Sequence, residues 1–290
     1  MPLRVLVAGA AGQLGQVLVR DLKRTHEVFA LTRSSLDLLD RANVPARVAK
    51  YRPEVIVNCA AFNDVDGAED DARAALDINA FAVQSLAEAA IACDAVLVHF
   101  GSDFVFDGTA SKPYTEEDWP NPRSVYGASK LLGEMFAVRA PKHYVLRVES
   151  LFGGPGGRSS VDKMAADISA GRPVRAFYDR TVSPSFVDHV SAATRRLIER
   201  SLPFGLYHCV NSGFTNWYEL ALELARRLKK ESAAIVPVSA DGVALKAPRP
   251  RFCALSNARL ASIGIEMPTW QMAVEHYAAS RGKSGLTPIP

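Results

Sequence analysis

Short runs of consecutive apolar residues recur through the first half of the chain. Between them, apolar positions return every three or four residues. Arg4–Ala8, Glu27–Leu31, Val55–Cys59, Ala95–Phe100 and Tyr144–Val148 read as strands. Gln13–Lys23, Val44–Tyr51, the alanine-rich stretch Asp71–Ala92 and Ser124–Val138 read as helices. Such alternation predicts an α/β fold in which helices cover both faces of a parallel sheet. Val55-Ile56-Val57 and Val96-Leu97-Val98 are apolar throughout. Strands buried on both faces have that character, because no residue of theirs meets water.

Past residue 150 the texture changes. Gly153-Gly154-Pro155-Gly156-Gly157 marks a turn cluster. Helices are expected over Val161–Ala170 and Asp188–Glu199, with a strand at Gly205–Val210. Asn216 followed by Glu219 has the form of an N-cap and its partner, opening a helix that runs to Lys230. Ala247-Pro248-Arg249-Pro250 reads as extended, Pro268-Thr269-Trp270 precedes a last helix, and the tail from Gly282 is expected to fray. The expected division is a dinucleotide-binding domain over 1–150 and a smaller substrate-binding lobe over 151–290. Segments near 185–212 return to the first sheet.

Composition narrows the function classes. The chain has 290 residues, 48% hydrophobic and 22% charged, with a net charge of +3. That is ordinary globular composition, with too little positive charge to indicate a nucleic-acid partner. The one dense basic run, Arg226-Arg227-Leu228-Lys229-Lys230, closes a helix, where cations suit the helix dipole. Cys59, Cys93, Cys209 and Cys253 lie among apolar neighbours and read as reduced core thiols. The six histidines have no metal-ligand spacing, so no metal is expected. No apolar stretch approaches membrane-spanning length, and the N-terminus has no signal-peptide pattern. The expected location is the cytoplasm.

Gly9-Ala10-Ala11-Gly12-Gln13-Leu14-Gly15 falls between the first strand and the first helix. Glycines there permit a tight turn and let a pyrophosphate approach the N–H groups of the helix N-terminus. The spacing G-x-x-G-x-x-G, placed there, marks a Rossmann-type dinucleotide site. The cofactor's adenosine ribose is read at the end of the second strand, where an acidic residue would select NAD. Thr32-Arg33-Ser34-Ser35 stands there instead and suits a 2′-phosphate, favouring NADPH over NADH. Asp37, before Leu38, is placed to meet the adenine. Ala60, Ala61 and Phe62 end the next strand and allow close backbone approach. Asn79, inside the long helix, is expected to be buried with a structural partner.

Ser102 and Asp103 follow the fourth strand, at the carboxyl end of the sheet where ligands bind in open α/β folds. Ser102 can donate a hydrogen bond to a substrate oxygen. Tyr126 and Lys130 share one helix face. An ammonium near a phenol is expected to lower the phenol's pKa and suit it to proton transfer at an alcohol or carbonyl oxygen.

Together, these motifs resemble those of the extended short-chain dehydrogenase/reductases, and within them the dTDP-4-dehydrorhamnose reductases. The matching stretches include Asn58–Glu69, Ser102–Gly108, Pro113–Glu117, Tyr126–Glu134, Ser183-Pro184-Ser185 and Arg249-Pro250, in the family's order. The resemblance implies reduction of the 4-keto group of a nucleotide-linked deoxy sugar, a nucleotide-sugar substrate being the small-molecule partner. It implies that Tyr126 protonates the forming alkoxide, that Lys130 holds the nicotinamide ribose, and that Ser102, Asp103 and Phe104 meet the sugar. Arg249 would meet the nucleotide end of the substrate.

Departures from the family pattern lie on the sugar side. A Thr-Ser-Trp run is replaced by Val148-Glu149-Ser150, and the loop Asp179-Arg180-Thr181-Val182-Ser183-Pro184-Ser185 is altered. Some members pair through a metal held by an acidic residue after the glycine loop. Val17 stands there, so that metal is not carried over, and a homodimer stays open. Dehydratases of the superfamily carry a second acid after the aspartate, where this chain has Phe104. An epimerase and a non-catalytic NADP-binding regulatory subunit are the alternative readings.

Overall fold

The computed structural model describes residues 1–157, 159–230 and 234–283. The apolar runs become strands. β1 (Arg4–Ala8) leads through α1 (Gln13–Leu22) to β2 (Glu27–Leu31), and α2 (Val44–Ala49) leads to β3 (Val55–Asn58). The helix expected over Asp71–Ala92 is observed from Ala72 to Ala92 as one continuous run with a π turn inside it. In its region lie α3 (Gly67–Asp70), α4 (Ala72–Leu76), a π-helical turn over Asp77–Phe81 and α5 (Ala82–Ala92). Asp71 caps α4 by accepting from the Ala74 N–H at 2.9 Å. Asn79 in the π turn accepts from the Phe62 N–H at 2.8 Å and donates to the Phe62 carbonyl and Ser129 Oγ, both at 3.0 Å. The helix widens where a buried amide is tied to another segment, as π turns often do at functional sites.

β4 (Val96–Ser102) runs into a 3-10 turn, Asp103–Val105, and the chain continues to α6 (Val125–Ala137) and β5 (His143–Val148). β6 (Leu151–Phe152), α7 (Ser160–Ser169), β7 (Val174–Phe177), β8 (Thr181–Val182) and β9 (Ser185–Phe186) follow. Next come α8 (Val187–Arg200), β10 (Gly205–His208), β11 (Thr215–Asn216), α9 (Trp217–Arg227) and β12 (Ile235–Val238). α10 (Ala258–Ser262) and α11 (Trp270–Lys283) close the described chain. The tail expected to fray from Gly282 thus begins inside α11, and residues 284–290 lie outside the described residues.

The main sheet has the order β10-β5-β4-β3-β1-β2, and every pairing in it is parallel. One face is covered by α1 and α8, the other by α2, α5 and α6, each through its own apolar layer. The fold is therefore a doubly wound α/β sheet. A smaller apolar core gathers Phe152, Val161, Leu220, Leu224, Val274 and Tyr277 beyond the sheet. Its short parallel pair β7–β12 and helices α7, α9 and α11 form the C-terminal lobe. Among the described residues no helix is long and apolar enough to cross a membrane.

The strand order reverses between β1 and β3, so their carboxyl ends diverge and leave a crevice. Gly9 follows β1 and Ala60 follows β3, one on each side of it.

Candidate active site

The crevice is built from backbone. Gly9 has φ +73°, and a Cβ there would lie 2.5 Å from the Ala60 nitrogen. A Cβ on Gly15 would lie 2.4 Å from the Gly9 carbonyl oxygen. Glycine is thus required at both positions for the turn to close this tightly. Gly12 caps α1, and the N–H groups of Gln13, Leu14 and Gly15 open the helix without an earlier carbonyl inside it. Leu14 is buried, and the Gln13 side chain donates to the Gly153 carbonyl at 2.8 Å, tying the loop to the C-terminal half. This is a cradle for an anionic group.

At the tip of β2, the hydroxyls of Thr32, Ser34 and Ser35 knit the turn: Thr32 Oγ1 and Ser34 Oγ are 2.9 Å apart, and Ser35 Oγ donates to the Thr32 carbonyl at 3.1 Å. Arg33 is exposed there and has no ion-pair or hydrogen-bond partner among the described residues. Asp37 accepts from the Leu39 N–H at 3.0 Å, while Leu38 packs its side chain into the apolar layer under the sheet. Ala60, Ala61 and Phe62 are half-buried, and the Phe62 backbone is the one clamped by Asn79.

Ser102 ends β4 and Tyr126 lies in the first turn of α6. Ser124 caps that helix by accepting from the Gly127 N–H at 3.1 Å, and Glu69 accepts from the Val125 N–H at 2.8 Å. A Cβ on Gly127 would lie 2.3 Å from the Phe104 carbonyl oxygen. That glycine lets α6 press onto the turn after β4 and brings Tyr126 beside Ser102. Phe104 meets Tyr126 edge to face at 5.5 Å. Ser102 Oγ accepts from the Phe104 N–H at 3.2 Å and donates to Asp103 Oδ1 at 3.0 Å.

The electrostatics differ from the sequence expectation. Burial and the neighbouring Asp103 carboxyl push the Tyr126 phenol up to about 12, with the Ser102 hydroxyl pulling the other way. Lys130 does not lower it. Its ammonium donates to the Phe100 carbonyl at 2.6 Å, behind the strand, and burial brings it down to about 8. The Lys130 charge acts on Cys59 and His99 instead. Tyr126 is thus held as the neutral phenol, the form that donates a proton.

A second group surrounds Asp103. Ligand atoms of Asp103, Glu149 and Cys253 all lie within 4.8 Å of one another. Glu149 Oε2 accepts from the Ser183 N–H at 2.7 Å, whereas Oε1 is buried without a partner. Burial raises the Asp103 carboxyl to about 6 and, with Asp103 beside it, holds Glu149 well above the usual range. Arg180 is drawn to both acids, but burial depresses its pKa and its Nε has no partner. Glu149 itself lies just after the end of β5. Ser150, next to it, is held at φ +44°.

Arg249 reaches the edge of this group. Its guanidinium sits 5.9 Å from the centre of the Phe104 ring and grips Asp66 with both ends, at 3.1 and 3.0 Å. The structure therefore brings together Ser102, Asp103, Phe104, Tyr126 and Arg249, with Lys130 one helical turn from Tyr126. Sequence reasoning missed Asp66, Ser183 and Cys253 as members of the site; the first two lay inside stretches already matched to the family. Val17 is buried in the core, so that position presents nothing to a second copy.

Comparison with known proteins follows the same lines. The family model of the RmlD substrate binding domain matches residues 3–282. A dTDP-4-dehydrorhamnose reductase of Streptomyces griseus is 36% identical, over 99% of this chain and 97% of its own. The Bacillus subtilis spore coat polysaccharide biosynthesis protein SpsK is 33% identical, over 97% of this chain and 99% of its own. Among solved structures, dTDP-4-dehydrorhamnose reductase from Bacillus anthracis in complex with NADP superposes with a TM-score of 0.92 at 30% identity, covering 97% of this chain and 100% of that one.

Proposed function

This chain belongs to the RmlD substrate binding domain family, and on that premise we propose that it is an NADPH-dependent reductase of the 4-keto group of a nucleotide-linked 6-deoxy sugar, of the kind that completes dTDP-L-rhamnose. The observation that carries the reading is the meeting of Ser102, Tyr126 and Lys130 beside the glycine crevice. The crevice suits a dinucleotide, because Gly9 and Gly15 let the turn close tightly and the N–H groups that open α1 are left for a pyrophosphate. Gly9, Gly12, Gln13, Leu14 and Gly15 would hold the pyrophosphate, Arg33 and its neighbouring hydroxyls the 2′-phosphate, Asp37, Leu38, Ala60, Ala61 and Phe62 the adenosine half, and Lys130 the nicotinamide ribose. The nicotinamide supplies the hydride that reduces the sugar carbonyl.

This chain's residues supply the rest. Ser102 orients the carbonyl oxygen by a hydrogen bond. Tyr126 gives that oxygen its proton as charge builds. A raised phenol pKa does not oppose this, since an alkoxide is a much stronger base than a phenolate. Arg249 supplies a cation for the substrate's diphosphate. The C-terminal lobe closes the sugar side and limits access of water.

The test is the purified protein with dTDP-4-keto-6-deoxy-L-mannose and either reduced nicotinamide. Loss of the reduced-nicotinamide absorbance, faster with NADPH, is expected, together with the 4-hydroxy sugar by NMR. Unchanged absorbance with both cofactors sinks this substrate assignment.

A further inference from the structure

Glu149 stands where the family pattern has no acid, and its place in the fold gives it a task. It follows directly after β5, two residues beyond Arg147, and turns toward the Asp103 carboxyl rather than toward solvent; only 2% of it is exposed. One of its oxygens is fixed by the Ser183 N–H and the other is buried with no partner. Unpaired buried polar atoms are costly, and those that persist call for a reason. Two carboxyls this close cannot both be ionised without a large penalty. The groups facing the pair are Ser102 and Tyr126 on one side, and Arg180, Cys253 and, beyond Arg180, Arg249 on the other. One partly buried guanidinium offsets about one negative charge, which leaves room for one proton on the two acids.

We propose that Glu149 is a positioning residue acting through Asp103: the two neighbouring carboxyls hold one proton between them, and that proton refills Tyr126 through Ser102 after each turnover. This rests on the reductase reading above. Asp103, Ser102 and Tyr126 form a continuous line: Ser102 Oγ bonds Asp103 Oδ1 at 3.0 Å, and its hydroxyl lies beside the Tyr126 phenol. A hydroxyl both donates and accepts, so Ser102 can reverse its direction. When the substrate oxygen takes the Tyr126 proton, the phenolate takes the proton of Ser102. The Ser102 oxygen takes the pair's single proton from Asp103, directly or after it has crossed from Glu149, and both carboxyls are then briefly ionised. The pair ends one proton short and regains it from water once product leaves. No bond other than O–H is made or broken in the relay, and nothing is oxidised.

Glu149→Gln tests this, because an amide keeps the shape and the neutral charge but cannot pass on an acidic proton. Only Asp103 can then refill Tyr126, and it is protonated mainly below its own value of about 6. The variant should lose turnover above that pH by on the order of 10²-fold, the low end for a positioned proton donor. The loss should shrink as pH falls through that range, and Glu149→Asp should restore part of it. An equal loss at every pH, with kcat and KM moving together, marks a packing role and overturns the proposal. A carboxyl-carbon NMR titration of the wild-type protein with labelled Asp and Glu needs no substrate. It should show one of the two acids still protonated at neutral pH, and two ordinary titrations overturn the shared proton. If the wild-type protein turns over no keto-sugar while NMR shows the shared proton, the reductase reading fails and the acid pair stands.

Discussion

Two buried groupings of acid and guanidinium sit two residues apart at the end of the same strand. Arg147 points to one side of β5 and meets Glu134 of α6 through three hydrogen bonds, at 3.1, 3.1 and 2.8 Å. It also stacks 5.0 Å from the Phe106 ring centre. Glu149, just past the strand, lies near Asp103 and Arg180, with one of its own oxygens and the Arg180 Nε unpaired. Burial is nearly complete in both, so burial alone does not mark function. Satisfaction does. The first grouping has geometry that repays its desolvation; the second keeps unmet polar atoms and two acids in mutual conflict. That conflict lies beside Tyr126, where the proposed proton transfer takes place.

The largest effect separates the two by readout. Tyr126→Phe removes the proton donor and should lower kcat by about 10²–10⁴-fold. It should leave NADPH affinity and the unfolding midpoint almost unchanged, since the ring and its contact with Phe104 remain. Cofactor affinity and kinetics measured on one preparation decide this. Lost affinity with turnover intact would remove Tyr126 from the chemistry.

Next in size is the paired grouping. Glu134→Gln strands Arg147 as an uncompensated buried cation and should cost about 3–5 kcal/mol of stability. Glu149→Gln keeps the shape and the neutral state, and should cost about 1 kcal/mol or less. Urea denaturation of both variants tests the contrast. A larger loss at Glu149 than at Glu134 would erase the distinction drawn between them.

The same contrast bears on what the sequence alone could show. The glycine crevice was legible because its chemistry is local: one loop, between one strand and one helix, supplies most of it. Tyr126 and Lys130 were legible for the same reason, as positions on one helix face. The Asp103 group was not, because Asp103, Glu149, Arg180 and Cys253 come from four separate segments. No period along the chain links an aspartate after β4 to a glutamate after β5. The π turn inside the helix over Asp71–Ala92 was hidden for a related reason. That stretch contains no glycine or proline, and the π turn follows from the hold of Asn79 on Phe62 and Ser129. The expected depression of the Tyr126 pKa failed because helix spacing gives a shared face but not the reach of Lys130, which is taken up by the Phe100 carbonyl.

A smaller effect appears in the pH dependence of stability, where the two groupings pull in opposite directions. Asp103 is raised from 3.8 to about 6. Between those values the folded chain holds more protons than the unfolded one, so its contribution is present at low pH and is lost as pH rises through about 6. His208, beside Arg147, is lowered from 6.5 to about 3 by burial and by that guanidinium. Its contribution is present above 6.5 and is lost as pH falls toward 3. Asp103→Asn removes only the first slope. Its stability relative to wild type should rise by about 1–3 kcal/mol between the two Asp103 values. Denaturation curves across that range check it, and a constant difference would mean that Asp103 is not held above its ordinary value.

The smallest effect lies at the rim, and it asks whether a satisfied ion pair can still belong to the site. Asp66 holds Arg249 at both ends and also accepts from the Ala247 N–H at 2.9 Å. In that respect it resembles the Glu134–Arg147 pair, but its side chain is 42% exposed, so solvent screens it. Asp66→Asn keeps an acceptor for Ala247 and turns an N–H₂ toward a guanidinium that has only donors. Arg249 should then swing away from the Phe104 ring. If Arg249 meets the substrate's diphosphate, KM for the nucleotide sugar should rise by about two- to five-fold, the scale of an exposed pair worth up to about 1 kcal/mol. The value of kcat should hold, because the reacting carbonyl lies with Ser102 and Tyr126. Arg249→Ala should raise KM further, and raised salt should narrow the gap between Asp66→Asn and wild type. An unchanged KM in both variants would move the diphosphate away from Arg249 and leave the Asp66 pair as a strap for the segment at Ala247.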